Sequence, residues 1–282
     1  MSFLEGIVGS FSTGAADNPT VAMMDAAFAE GGLPWRYVNC EVEPDQLDAA
    51  VAGARAMGWQ GFNCSMPHKQ TVIPLLDGLS PSAEICHAVN CVAATADGWS
   101  GHNTDGAGFV ASVLEVMPLE GARVLVLGSG GAAHAIAVEA ALVGAASILV
   151  ASRNATTGER LAALVDDRTT ASAEVLPWSD PIAAPSGVDL VVNATPVGSL
   201  GEGAASLPID LSAVGHPFVA ADVVFSPPDT GFLDAARAAG ATTVDGTGML
   251  VNQAAENIRL WTGVRPETAP MRTALEAALG LT

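Results

Sequence analysis

The chain has 282 residues and a hydrophobic content of 50%, which is enough for one large or two modest domains. Thirty acidic residues against eleven basic ones give a formal net charge of −19. This charge argues against nucleic acid or an anionic membrane surface as a partner. Lys69 is the only lysine. Because lysine can lose its proton in a suitable site and arginine cannot, Lys69 is a candidate for proton transfer; the alternative is an incidental surface residue.

The first hundred residues alternate between strand-like and helix-like segments. Alternating or continuous apolar runs predict strands, and apolar residues on one face predict helices. Pro19 suits the first turn of the first helix, and Asp97-Gly98 predicts a turn after the last strand. The predicted elements, in chain order, are strand 4–8, helix 19–30, strand 35–42, helix 44–57, strand 61–65 and strand 89–96.

A second pattern begins near Arg123. Continuous β-branched runs alternate with helices, which predicts a parallel, doubly wound sheet. Two helices remain after Gly248, and we expect them to pack back on the first domain because they have no strand to follow. The sequence therefore predicts two α/β domains. The strands predicted in the second are 124–127, 147–151, 188–192 and 218–223, with a helix ending near residue 143.

A glycine-rich turn follows the strand at 124–127 and opens that helix. It reads Gly128-Ser129-Gly130-Gly131-Ala132-Ala133. This fits the dinucleotide-binding fingerprint of a Rossmann domain, in which glycines let backbone N–H groups approach a pyrophosphate at the helix N-terminus. The alternative is an incidental glycine-rich turn.

The end of the next strand indicates which nucleotide binds. An NAD site usually places an acidic residue there for the ribose 2′-hydroxyl, but this strand leads into Ser152-Arg153-Asn154. Arg153 can pair with a 2′-phosphate and stack on adenine. The sequence therefore favours NADP. NAD stays open, as does a surface role for Arg153.

Several segments in order resemble the shikimate dehydrogenase family, including its quinate-oxidising relatives. Besides the glycine-rich turn, they are Gly-Phe-Asn-Cys-Ser-Met-Pro-His-Lys at 61–69, Ala-Val-Asn at 88–90, Asn-Thr-Asp-Gly at 103–106, Val-Asn-Ala-Thr-Pro at 192–196 and Asp-Gly-Thr-Gly-Met-Leu-Val-Asn-Gln at 245–253. The resemblance spans nearly the whole chain. It implies a substrate-binding and catalytic domain at 1–105, an NADP-binding Rossmann domain at 106–246, and C-terminal helices at 247–282 that return to the first domain.

The resemblance also implies roles for individual residues. Lys69 and Asp105 form the proton-transfer pair for hydride exchange between nicotinamide and shikimate, 3-dehydroshikimate or a close cyclic hydroxy acid, in aromatic amino acid biosynthesis. This suits the chemistry, since hydride transfer to a ketone leaves an oxygen that must gain a proton. Asp105 as a helix N-cap is the alternative. The implied substrate contacts are Asn63, Ser65, Asn90 and Gln253, and the implied cofactor contacts are Asn193, Thr195, Val223 and Gly246.

The chain departs from the family where the substrate carboxylate binds. The family's Ser-x-Ser-Pro segment is here Ala16-Asp17-Asn18-Pro19, and the family's tyrosine corresponds to Phe225. Ser12 and Asn18 are candidate substitutes, with Ser10 or Thr13. Each lost charge-assisted hydrogen bond costs about 1.5–3 kcal/mol, or about 10- to 150-fold in affinity. Altered substrate specificity is therefore expected.

Two other classes of function stay open. The altered pocket is compatible with a non-catalytic sensor of a nucleotide or ring metabolite, and a similar two-domain fold serves an oxidoreductase of a folate-type carbon carrier. No secretory signal is visible at the start. The four cysteines lack CxxC spacing, which predicts reduced thiols in the cytoplasm more than a zinc site of Cys86, His87 and Cys91. We expect a monomer or homodimer that needs no metal.

Overall fold

The computed structural model describes residues 4–199, 207–215 and 217–281. The chain forms two compact units. The first comprises Met1–Thr104 with Val251–Thr282, and the second comprises Asp105–Leu250.

The first unit is built on a six-stranded mixed sheet of order β2-β1-β3-β5-β6-β4. Its strands are β1 Gly6–Ser12, β2 Trp35–Glu41, β3 Gly61–Cys64, β4 Gly78–Leu79, β5 Cys91–Thr95 and β6 Gly98–His102. Its helices are α1 Thr20–Glu30, α2 Leu47–Ala56, α3 His68–Thr71 and α4 Pro81–Cys86. β1 runs parallel to both β2 and β3, whereas β5 is antiparallel to β3 and β6.

Three of these strands differ from the sequence prediction, which put β1 at 4–8 and contained neither the two-residue β4 nor β6. β1 continues to Ser12 because it pairs residue by residue with the whole of β2. The sequence did not predict β6, since two of its five residues are glycines. β6 forms because all five of its residues pair with β5, although its composition does not favour a strand.

The second unit carries a six-stranded, all-parallel sheet of order β14-β13-β11-β7-β8-β9. Its strands are β7 Arg123–Leu127, β8 Ser147–Ala151, β9 Ser172–Leu176, β11 Leu190–Asn193, β13 Val219–Asp222 and β14 Thr242–Val244, and the two strands β10 Ile182–Ala183 and β12 Ile209–Asp210 pair separately. Its helices are α6 Gly131–Leu142, α7 Ala155–Arg168 and α8 Gly231–Ala238. The predicted fold class is confirmed.

Three helices lie at or beyond the points where the chain passes between units. They are α5 Thr104–Leu114, α9 Gly246–Thr262 and α10 Thr268–Leu279. The expected return of the C-terminal helices is observed. α10 packs on α1, and Trp261 of α9 donates an indole hydrogen bond to the carbonyl of Val92 at 2.9 Å. Gly61 leaves room for this indole, because a Cβ there would collide with it.

The described residues also bear on membranes and metals. Among the helices of these ranges, none is long and apolar enough to cross a membrane. The same ranges contain no cluster of three or more histidine, cysteine or acidic side chains suited to a metal ion. All four cysteines are free thiols.

Candidate active site

The glycine-rich turn between β7 and α6 needs glycine at Gly128. Its φ of 113° favours glycine, and a Cβ would lie 2.9 Å from the carbonyl oxygen of Ala194. At Gly130 and Gly131 a Cβ would meet nothing within 4 Å. The N-terminus of α6 is therefore open to a ligand, and its unpaired backbone N–H groups suit an anion.

Two adjoining cavities extend from this turn across the carboxyl ends of the parallel strands, where α/β sheets bind nucleotides. They share Gly130, Ala194, Thr195 and Pro196. The larger, of about 540 Å³, is also lined by Gly131, Ala132, Ser199, Val223, Val224, Phe225 and Ser226. The smaller, of about 270 Å³, is also lined by Gly128, Ser129, Ser152, Arg153, Asn154 and Trp178. Most predicted cofactor residues thus meet in one groove; the sequence missed Trp178, which lies in a loop without a motif.

Hydroxyl groups cluster beside Arg153 at the smaller cavity. Ser129 Oγ lies 2.7 Å from Ser152 Oγ and 2.6 Å from Thr157 Oγ1. The Asn154 side chain caps α7 by accepting from the Thr157 backbone N–H at 3.2 Å. An exposed guanidinium next to several hydroxyls is the donor set that a phosphate requires.

Asn193 and Gly246 do not line the larger cavity, but each contacts residues that do. Asn193 is fully buried; its amide donates to Asp222 at 2.9 Å, and its oxygen accepts from the N–H and hydroxyl of Thr195. We therefore propose that Asn193 supports Thr195 instead of touching the cofactor. Burial raises the pKa of the Asp222 carboxyl above its usual value. A Cβ at Gly246 would collide with the backbone carbonyls of Val223 and Val224, so only glycine fits there.

In the first unit, hydrogen bonds hold together the segments that carry the predicted reacting residues. The carbonyl of the half-buried Lys69 accepts from the Val89 N–H at 2.7 Å. The buried Asn90 follows, and its Oδ1 accepts from the N–H of Thr104 at 2.7 Å and lies 3.1 Å from the Thr104 hydroxyl. That hydroxyl also lies 2.7 Å from Asn257 Oδ1. The hydrogen bond from the Thr104 N–H to Oδ1 therefore fixes the orientation of the Asn90 carboxamide.

The neighbours of these segments are also fixed. The buried His68 ring places Nε2 2.8 Å from the carbonyl of Val42, which anchors α3. Asp105 directly follows Thr104 and lies in the first turn of α5. The alternative of Asp105 as an N-cap is wrong, because the helix begins one residue before it.

The remaining predicted substrate residues surround the same part of the sheet. Gln253, Asn257 and Trp261 follow one another at four-residue spacing, so they share a face of α9. Since Asn257 and Trp261 both bond to the first unit's core, the half-buried Gln253 lies over that side. Ser65 is exposed just after β3, and Ser12 is buried at the end of β1.

A polar group at the carboxyl ends of β1, β2 and β3 contains two residues that the sequence did not predict. Asn63 donates to the carbonyl of Asn90 at 3.0 Å and accepts from the hydroxyl of Tyr37 at 3.0 Å. Asn18 donates to Asn39 at 3.2 Å. Tyr37 and Asn39 were missed, although Tyr37 is the only tyrosine of the chain and alternates with Asn39 on one face of β2.

These features define a class of protein. A parallel sheet with a dinucleotide groove, joined to an α/β unit that carries a fixed lysine segment and several carboxamides, is typical of a two-domain, nucleotide-dependent oxidoreductase. Comparisons with known proteins agree. Residues 17–92 match the model of the shikimate dehydrogenase substrate binding domain, and residues 246–276 match that of the shikimate 5'-dehydrogenase C-terminal domain.

Full-length relatives extend these matches. The NADP(+) shikimate dehydrogenase of Geobacter metallireducens is 38% identical over 97% of this chain and 96% of its own. The chain therefore belongs to the shikimate dehydrogenase family, and the predicted family and oxidoreductase class are confirmed.

Two solved structures show the range of substrates among similar proteins. Shikimate 5-dehydrogenase from Listeria monocytogenes, in complex with shikimate and NAD, is 29% identical with a TM-score of 0.90, over 98% of both chains. The ligand-free 5-ketofructose reductase of a Gluconobacter strain is 47% identical with a TM-score of 0.94, over 98% of this chain and 99% of its own.

Proposed function

We propose that this chain is an NADP-dependent oxidoreductase that transfers hydride between nicotinamide and a carbonyl carbon of a small polyhydroxylated substrate. The observation that carries the proposal is the hydrogen-bonded assembly of the segments bearing Lys69, Asn90 and Thr104 in the first unit. The groove of the second unit is the proposed binding site of the nicotinamide cofactor.

Lys69 and Asp105 are the proposed proton-transfer pair. As hydride reaches the carbonyl carbon, negative charge develops on the oxygen, and the ammonium of Lys69 stabilises this charge and gives up a proton. In the oxidative direction the neutral amine removes the hydroxyl proton before hydride leaves. Asp105 orients the amine during this transfer.

NADP is the proposed cofactor, and Arg153 selects it. The guanidinium and the hydroxyls of Ser129 and Ser152 surround the place where a 2′-phosphate would lie. The relatives named for NADP(+) support this choice. The Listeria structure, which contains NAD, keeps NAD as the second candidate.

Two compounds represent the substrate classes that the comparisons suggest. The shikimate dehydrogenases point to 3-dehydroshikimate, with quinate as a related substrate of the oxidative reaction. The Gluconobacter enzyme, at 47% identity, points to 5-ketofructose. Phe225 and the absence of serine at positions 16 and 18 favour the second, because they remove groups that bind a carboxylate.

The test follows nicotinamide absorbance with the purified chain. NADPH is combined with 3-dehydroshikimate or 5-ketofructose, and NADP+ with shikimate or quinate. We expect turnover of at least one compound. Tight binding of NADPH without turnover of any would contradict the proposal and favour a non-catalytic sensor.

We also propose a cellular compartment and an oligomeric state for this chain. Free thiols are typical of a reducing compartment, which supports the cytoplasm. We propose a monomer or homodimer, which light scattering on a sizing column distinguishes.

A further inference from the structure

Three polar side chains form a row across the carboxyl ends of β2, β1 and β3. The register of the parallel strands makes Asn39 and Ser10 direct neighbours, and Ser10 and Asn63 likewise. Neighbouring strands are about 4.8 Å apart, so the row spans about 10 Å on one face of the sheet. We call these three residues, with Asn18 and Tyr37, the amide row.

Asn39 holds one end of the amide row. Its Oδ1 accepts from Ser10 Oγ at 2.9 Å and from Asn18 Nδ2 at 3.2 Å, and its own Nδ2 donates to the Asn18 carbonyl at 3.1 Å. Asn18 is fixed in turn, since its Oδ1 accepts from the Thr20 N–H at 3.1 Å. The orientation of every amide at this end is therefore set by a bond.

Tyr37 holds the other end. Its ring is 5% exposed, and burial raises the pKa of its phenol above the usual value. The hydroxyl therefore keeps its proton and donates to Asn63 Oδ1, while one Asn63 amide hydrogen goes to the Asn90 carbonyl. These bonds use one amide hydrogen of Asn39 and one of Asn63, so each Nδ2 retains a second hydrogen. Ser10 and Tyr37 retain oxygen lone pairs.

The amide row contains no charged side chain, and acidic residues adjoin it along the chain. Asp17 precedes Asn18 and is exposed, and Glu41 follows Asn39 on the same face of β2. Four arginines of the first unit are paired with other carboxylates, in Arg36–Glu5, Arg55–Asp77, Arg259–Glu256 and Arg265–Glu256. A substrate carboxylate at the amide row would therefore find no charged side chain within the row to pair with.

We propose that the amide row recognises vicinal hydroxyls of an uncharged polyhydroxy ketone, and that Asn39 and Tyr37 are specificity-determining residues of the reaction. A hydroxyl both donates and accepts, which matches the mixed donors and acceptors of the row, whereas a carboxylate only accepts. The inference rests on the proposed function and names its substrate class.

The experiment compares 5-ketofructose with 3-dehydroshikimate under NADPH, in the wild-type chain and in Tyr37→Phe and Asn39→Leu. Val38→Ala is the matched control, because Val38 lies between them on the opposite, exposed face of β2. Melting temperature and NADPH affinity are measured for every variant. If Asn39→Leu does not fold, Tyr37→Phe still decides, since it removes a single oxygen.

We expect the wild-type kcat/KM for 5-ketofructose to exceed that for 3-dehydroshikimate by about 100-fold or more. Each variant raises KM for 5-ketofructose by about 3- to 10-fold, which corresponds to one lost hydrogen bond, and changes kcat and NADPH affinity less. A preference for 3-dehydroshikimate, or an unchanged KM in folded variants, overturns the inference alone. No turnover of either compound, nor of shikimate or quinate, removes the proposed function and the inference with it.

Discussion

Two regions of the first unit lie on the same sheet but differ in charge and in their relation to the family. The reacting segments carry Lys69 and lead into Asp105, and their motifs match the family. The amide row is neutral, and the family's serines are absent beside it. Both regions are held by amide and hydroxyl bonds, and they meet where Asn63 bonds to the carbonyl of Asn90. We therefore propose that separate residues carry the reaction and the selection of the substrate, so that selection can change while the reaction stays.

Lys69→Arg gives the largest expected effect and tests the reacting side of this comparison. Arginine keeps the charge but does not release a proton, so kcat falls by about 10²- to 10⁴-fold, the usual contribution of general acid–base catalysis. Steady-state kinetics with each substrate measures the loss. Because the amide row is untouched, the ratio of kcat/KM between the two substrates stays nearly constant.

Gln70→Arg is the matched control for Lys69→Arg, since Gln70 is the next residue and is exposed. It adds a guanidinium to α3 without removing the lysine, and we expect near-normal kcat. Near-normal kcat in Lys69→Arg itself would show that proton transfer is not the role of this lysine.

Arg153→Gln tests whether cofactor selection is independent of both regions. Loss of a charge-assisted contact to the 2′-phosphate raises KM for NADPH by about tenfold or more. KM for NADH changes little, because NADH has no 2′-phosphate. Kinetics with the two cofactors at saturating substrate separates these results, and an equal change for both would contradict the assignment.

A triple variant, Ala16→Ser, Asn18→Ser and Phe225→Tyr, brings the selecting region closer to the family pattern. Added hydroxyls bind a carboxylate, and Asn18→Ser weakens the amide row at Asn39. We expect kcat/KM for 3-dehydroshikimate to rise by about tenfold and that for 5-ketofructose to fall. Phe225→Tyr alone is the control. A variant that loses both activities while still binding NADPH would show that these positions do not select the substrate.

Thr104→Val has the smallest expected effect on selection and tests how the reacting segments are held. Valine keeps the shape but leaves Asn257 Oδ1 without the Thr104 hydroxyl, which lowers the free energy of unfolding by about 1–3 kcal/mol. Denaturant titration measures this change. Thr104→Ser keeps the hydroxyl and serves as control; equal destabilisation by both variants would contradict the account.

Much of the fold could be predicted from the sequence because a parallel strand that is buried on both faces is a continuous apolar segment. The strand predicted at 147–151 is β8 in full, since Ile148, Leu149 and Val150 are apolar and buried on both faces. β9 was missed because it lies at the sheet edge and carries exposed residues. Its strand character comes from pairing with β8, which no local pattern encodes.

The candidate site also contains a part that the sequence could predict and a part that it could not. Motifs that lie within a few residues, such as the glycine-rich turn and the segment ending at Lys69, could be recognised directly. The amide row could not, because Ser10 and Asn39 are 29 positions apart and meet only through the register of β1 and β2. The alternation of β2 predicts which of its residues share a face, but not what faces them.

The most direct measurement of substrate selection is the ratio of kcat/KM for 5-ketofructose to that for 3-dehydroshikimate, with NADPH and the wild-type chain. A neutral amide row beside an intact reacting region predicts a ratio of about 100 or more. A ratio below one would contradict it and make the carboxylated ring the substrate that this site selects.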